Sequence, residues 1–188
     1  DWPERMEMHG AIKGPVFMNA SKGSNVSVQV PPSKWQRAAA AIVPVIAAFL
    51  VGQWATYPNL VPWYATLAKP AFNPPNWIFA PVWTVLYGLM ALAVWRLLNA
   101  NFPRVEKRTA LALFFSQLVL NALWSVLFFG FHSPLGGLLN IVPQWTLIVL
   151  AIFRLRHIDS IAALCLCPLA LWVGFAAVLN FEIWRLNG

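Results

Sequence analysis

Five long apolar runs, over residues 38–57, 79–98, 109–131, 135–153 and 161–184, set the limits on what this chain can become. About 20 mainly apolar residues in an α-helix cross a hydrocarbon core of about 30 Å, and every run approaches or exceeds that length. Lipid offers no water to satisfy backbone groups, so each run must close its hydrogen bonds on itself as a helix. A β-barrel would instead show short stretches of alternating polarity. The expectation is an all-α membrane protein, a five-transmembrane-helix bundle. With 60% hydrophobic and 10% charged residues and a mean hydropathy of +0.64 over 188 residues, the chain also has too few polar side chains to cover a soluble globule.

Local punctuation places some of the helix ends. Ser133-Pro134 reads as N-cap and first helical residue of the fourth run, and Asp159 as the N-cap of the fifth. A side-chain oxygen there accepts from orphan N–H groups, while proline has no N–H to lose. Pro143 falls inside the fourth run and predicts a kink, which neighbouring helices can compensate.

The 13 Lys and Arg sort by connection. Arg5, Lys13, Lys22, Lys34 and Arg37 precede the first run. Arg96, Arg104, Lys107 and Arg108 flank the second connection, and Arg154 and Arg156 lie in the fourth. Only Lys69 and Arg185 belong to the other face. In an inner or plasma membrane this asymmetry predicts a cytoplasmic N-terminus and an external C-terminus. The net charge of +7 is thereby read as orientation and lipid-headgroup contact rather than nucleic-acid binding.

Residues 1–34 are polar, with a patch "NASKGSNVSVQVPPS", and lack the apolar core of a signal peptide. They read as a flexible N-terminal extension with at most a short strand over 26–30, preceding a membrane domain over 35–188. The sharper alternative is a docking segment for a protein partner.

Catalytic and metal chemistry find little support. Cys165 and Cys167, two apart on a helix, point to different faces and read as small apolar fillers. His9, His132 and His157 lie outside the runs, with no Cys or carboxylate at ligand spacing, so no metal site is expected. Asp1, Glu4, Glu7, Glu106, Asp159 and Glu182 are scattered in the tail or at helix ends and form no catalytic set. Proton-coupled pumping ordinarily uses an ionisable group deep in a helix. Its absence points to binding, with no required cofactor.

The 11 tryptophans are the distinctive feature. Trp54, Trp63, Trp77, Trp95 and Trp184 sit where interfacial anchors belong. Trp83, Trp124, Trp145 and Trp172 lie further inside their runs, where lipid gives an indole N–H no partner. Inward-facing indoles would line a cavity for a flat ligand. Gln53, Gln117, Asn121, Gln144 and Asn180 should likewise face the interior, as interhelical bonds or as orienting groups of a mostly apolar pocket.

The stretch "WYATLAKPAFNPPNWIFAPVWTVLYG" at 63–88 closely resembles the signature of the translocator protein family, also called tryptophan-rich sensory proteins or peripheral-type benzodiazepine receptors. "LNALWSVLFFG" at 120–130 is similar to the family's third helix and "PLALWVGFAAVLNFEIWRLN" at 168–187 to its fifth. The resemblance covers about residues 40–187. It implies a five-helix bundle whose first loop, with Pro74 and Pro75, folds as a lid over a ligand cavity. It further implies binding of porphyrins, sterols or synthetic isoquinoline and benzodiazepine-type ligands. By motif position Trp83, Asn121, Trp124, Trp172, Ala176 and Leu179 match cavity-lining places and Trp77 the lid.

The resemblance carries other implications. Light-dependent porphyrin breakdown in some members would make Trp83 and Trp172 the matching aromatic pair. The fifth-helix sterol pattern is present as Leu179, Phe181 and Arg185, with Phe in place of Tyr. Ala71-Phe72 stands where many bacterial members carry Trp, which removes indole area from the lid. Members are typically homodimers, and Ala112 with Ser116 forms a small-xxx-small pair on the third run. Three functions therefore compete at this level: a receptor or carrier of tetrapyrroles and related lipophiles, a light-dependent porphyrin-degrading enzyme, and an accessory subunit of a larger membrane assembly.

Overall fold

The computed structural model describes residues 33–188. The expectations for residues 1–32, including a strand over 26–30 and a partner-docking role, lie outside the described residues. The five runs form helices α1 (Lys34–Thr56), α2 (Asn76–Asn99), α3 (Arg104–Ser125), α4 (Pro134–Ile158) and α5 (Ser160–Asn187). All five are long and apolar enough to span a bilayer, and the protein is a multi-pass membrane protein.

The helix ends follow side-chain chemistry. Ser133 accepts from the Gly136 N–H with Pro134 opening α4, and the Asp159 carboxylate accepts from the N–H groups of Ile161 and Ala162 at the start of α5. Helix α1 starts four residues before the apolar run, because Ser33 and Gln36 form a reciprocal capping box. Helix α2 starts three residues early, directly behind Pro75. Helix α3 continues into a π-helical turn over Val126–Gly130, which carries Phe128 and Phe129 together into the interior. Pro143 lies within α4 without ending it, as Pro44, Pro81 and Pro168 lie within α1, α2 and α5.

Hydrogen bonds between distant segments fix an up-and-down order. At one end Arg37 of α1 donates to Asn99 of α2 (3.1 Å), and Arg96 of α2 pairs with Asp159 between α4 and α5 (3.0 Å). At the other, Asn59 after α1 bonds His132 before α4 (2.8 Å), and Ala68 meets Asn187 at the end of α5 (2.9 Å). The first end gathers Lys34, Arg37, Arg96, Arg104, Lys107, Arg108, Arg154 and Arg156; the second holds Lys69 and Arg185. Contacts run α1 to α2, α2 to α5, α5 to α4, α4 to α3 and α3 back to α1, so the helices close a ring.

The two halves of that ring are filled differently. Towards the basic end, Met90, Val94, Leu97, Phe114, Ile148, Leu155 and Leu166 interlock with Ala41, Ala110, Ala151 and Ala162 as a solid core. Towards the loop end the ring is hollow. Outside, Val43, Val119, Leu139 and Leu171 are exposed, as a lipid-facing surface requires.

A lipophilic cavity beneath the first loop

The hollow half encloses a cavity of about 420 Å³ to which all five helices and the loop between α1 and α2 contribute. Trp83, Asn121, Trp124, Trp172, Ala176 and Leu179 all lie in its wall. The wall is mostly aromatic and aliphatic. Trp124 stacks on Phe128 (5.0 Å between centroids, 17° between planes), and Trp172 meets Phe79 edge-on at 5.8 Å. Trp83 lies 5.6 Å from the Tyr87 ring.

The polar groups are mostly paired. Tyr87 donates its hydroxyl to Asn121 Oδ1 (2.7 Å), tying α2 to α3. Trp124 donates its indole N–H to Asn180 Oδ1 (3.0 Å), and Asn180 Nδ2 donates to the Pro134 carbonyl (2.7 Å), so one asparagine ties α3, α4 and α5. Gly137 makes this junction possible. A Cβ there would stand 2.8 Å from Asn180 Oδ1 and 3.0 Å from Phe128.

The loop covers the cavity with Leu60 and Tyr64. Tyr64 is buried between Phe128 and Phe129, and donates to Asn73 Oδ1 (3.0 Å) while Lys69 lies over its ring at 4.5 Å. Burial raises the Tyr64 phenol above its usual range against the opposing pull of Asn73, so it stays protonated and a donor. Trp63 stacks on His132 (4.7 Å), bracing the loop against the turn before α4. His132 holds a left-handed φ of 54° in that turn.

Other sequence-derived positions fall elsewhere. Trp77 occupies the first turn of α2, is 73% exposed and does not line the cavity; the covering contacts come from Leu60 and Tyr64. Trp145 is 43% exposed on the outer side of α4, because its N–H reaches the Ala170 carbonyl of α5 (2.9 Å) across Gly174 and needs no interior partner. Gln117, Asn121, Gln144 and Asn180 are buried, whereas Gln53 is exposed yet borders the cavity. The sterol pattern is divided: Leu179 faces the cavity, while Phe181 is exposed and Arg185 pairs with Glu182 at 2.7 Å. Ala112 and Ser116 are exposed on the outer side of α3, clear of the cavity. Among the described residues no group of His, Cys, Asp and Glu is placed to hold a metal, and Cys165 and Cys167 are free thiols.

Sequence reading assigned no role to Tyr64, Phe79, Tyr87 or Phe128. Each lies inside or beside the motifs quoted above, but the inward direction of its ring depends on contacts from other segments.

A ring of five membrane helices around a loop-covered, mostly apolar cavity defines a multi-pass membrane protein with an internal lipophilic site. Residues 40–185 match the TspO/MBR family. The tryptophan-rich protein TspO of Chlorobaculum tepidum is 44% identical over 125 residues, covering 66% of this chain and 79% of that one. That of Archaeoglobus fulgidus is 42% identical over 151 residues, covering 79% and 95%. The translocator protein of Homo sapiens is 31% identical over 128 residues, covering 66% and 75%. This chain belongs to the TspO/MBR family, and membership together with the cavity supports a receptor or transport role in the membrane.

Proposed function

We propose that the protein binds tetrapyrroles and related planar lipophiles in the loop-covered cavity and governs their movement or metabolism. The convergence of Trp83, Trp124 and Trp172 on one enclosed space carries this reading. Stacked indoles offer a flat ring large apolar contact, and the cavity volume falls within the roughly 300–1,000 Å³ range of small-molecule sites. A macrocycle's ionised substituents stay at the loop end, since among the described residues no Lys or Arg lines the cavity wall to neutralise them deeper. In an inner or plasma membrane, the eight basic residues at one end support a cytoplasmic start of α1. Self-association of two copies through the outer side of α3 belongs to the same proposal.

Titration with protoporphyrin tests the reading. It should quench tryptophan fluorescence saturably, and Trp172→Ala or Trp83→Ala should weaken binding by about 1–3 kcal/mol, the scale of ring stacking on an aromatic side chain. That corresponds to roughly ten- to a hundred-fold in Kd. Trp95→Ala, at the basic end, should cost little. Folded Ala variants that bind like the parent would overturn the assignment.

The shared position of Trp83 and Trp172 on the cavity favours, as a second reading, light-dependent breakdown of the bound porphyrin with oxygen as oxidant. Loss of conversion under illumination with an oxygen scavenger, without loss of binding, would separate photochemistry from simple carriage.

A further inference from the structure

Two buried amides, Gln144 in the cavity wall and Gln117 in the packed core next to it, are left incomplete, and their defects are complementary. Gln144 is 1% exposed and lines the cavity, yet its Nε2 finds no acceptor among the described residues. Gln117 is 0% exposed; its Nε2 reaches only the Met90 sulfur at 3.7 Å, and its Oε1 finds no donor. The register between α3 and α4 is fixed by Asn140 Nδ2 donating to the Leu120 carbonyl (2.8 Å). One turn further along each antiparallel helix, four residues on in α4 and three back in α3, Gln144 and Gln117 come to the same level.

That level is about 15 Å from the start of α4, at 1.5 Å per residue over ten residues from Pro134. Gln144 Nε2 and Gln117 Oε1 are each closed off from solvent, and an unmatched buried amide is costly. Nearby, the Tyr87 hydroxyl is engaged with Asn121 Oδ1 and the Trp124 indole with Asn180. Of the closed-off side-chain atoms among the described residues, one donor lacks an acceptor and one acceptor lacks a donor. A carbonyl oxygen would complete only the first. A single O–H group completes both, accepting from Gln144 and donating to Gln117. The terminal torsion of glutamine has a broad minimum, so the Gln144 amide can turn to admit such a group from the cavity.

We propose that Gln144 and Gln117 form a hydroxyl-recognition point at the blind end of the cavity, selecting lipophiles that carry an alcohol or a protonated carboxyl at the leading edge of a planar body. Gln144 touches the ligand, and Gln117 completes the bridge behind it. The inference rests on the cavity being the binding site, and it assigns the chemistry of that site's inner end.

Three pyrene probes of nearly equal shape test it: 1-pyrenemethanol, which donates and accepts; its methyl ether, which only accepts; and 1-ethylpyrene, which does neither. Energy transfer from tryptophan to pyrene reports binding in nanodiscs, corrected by partitioning into empty nanodiscs. The parent protein should prefer the alcohol to ethylpyrene by about ten-fold or more, with the ether between. Gln144→Met and Gln117→Met should each shrink the alcohol's advantage to about the ether's level or below. The ligand-free Gln144→Met protein should melt at or above the parent's Tm, since an unpaired amide is removed.

Equal binding of the three probes, or binding of none, overturns the inference. So does a lower Tm in both single variants with recovery in the double variant, because the two amides would then be satisfying each other, directly or through a buried water. Protoporphyrin run in parallel keeps the two readings apart. If it binds in a Trp172-dependent manner while the pyrenes show no preference, the cavity assignment stands and the hydroxyl point falls; if it does not bind, the tetrapyrrole reading fails on its own.

Discussion

Asn187, the last residue of α5, holds Ala68 of the first loop by both sides of its amide. Oδ1 accepts from the Ala68 N–H and Nδ2 donates to the Ala68 carbonyl, each at 2.9 Å, while Nδ2 also reaches the Ile183 carbonyl at 2.7 Å. The covering loop is thereby fastened to the far end of the chain. Asn187→Ala should release it: amide hydrogen exchange over residues 60–68 should quicken, and ligand should dissociate faster by about two- to ten-fold, the scale of one net hydrogen bond. Helix-core exchange should stay unchanged. Unaltered loop exchange would show that other contacts suffice.

The proline pair before α2 is a second restraint on the same loop. Replacing Pro74 and Pro75 together with Gly frees the unbound loop without touching the cavity wall. Ordering that freedom on binding should cost about 1–2 kcal/mol of affinity. The paired measurement is the loop's exchange rate with and without protoporphyrin.

Gly137 is the third point of strain sensitivity. A methyl group there meets Asn180 Oδ1 and Phe128, so Gly137→Ala should destabilise the bundle by about 1–3 kcal/mol of overpacking, against a helix-propensity gain of at most about 1 kcal/mol. The Trp124–Asn180 bond should loosen with it, and a shifted tryptophan emission maximum alongside a lower Tm would report both.

Asp159 gives a pH signature at the opposite end. Burial alone would raise its carboxyl, but the Ala162 and Ile161 N–H groups and the Arg96 guanidinium outweigh it and hold it below the usual range. A depressed folded value means stability present above the unfolded pKa of about 3.9 and lost as pH falls through the folded value. Tm should therefore decline below about pH 4. Asp159→Asn, which keeps a capping oxygen, should flatten that decline, while Asp159→Ala should lose about 0.5–2 kcal/mol at neutral pH.

What could be read in advance divides along physical lines. Spans and caps are local: twenty apolar residues, Ser133 before Pro134 and Asp159 before Ser160 carry their meaning in place. The Ser33 to Gln36 capping box was written there too, but lies outside the apolar run that marked α1. Trp145 shows the limit. Its depth along α4 was legible, but depth does not tell inward from outward, and the carbonyl that satisfies its indole comes from Ala170 on another helix. Trp77 sits exposed, as an interfacial anchor would, while the loop's cover over the cavity depends on Tyr64 docking on Phe128 and Phe129, some 65 positions away. No local pattern announces Ala68 meeting Asn187.

The solid half of the helix ring has a consequence for the membrane as a barrier. Met90, Leu97, Phe114, Ile148 and Leu166 are at or near zero exposure between the cavity floor and the basic end, and these apolar side chains offer an ion or a proton no successive resting places. A bilayer crowded with this protein should hold its voltage and its proton gradient undiminished. In the proposed carrier role, cargo entering at the loop end would leave by the same mouth or sideways into lipid, a loading dock on one leaflet rather than a tunnel through both.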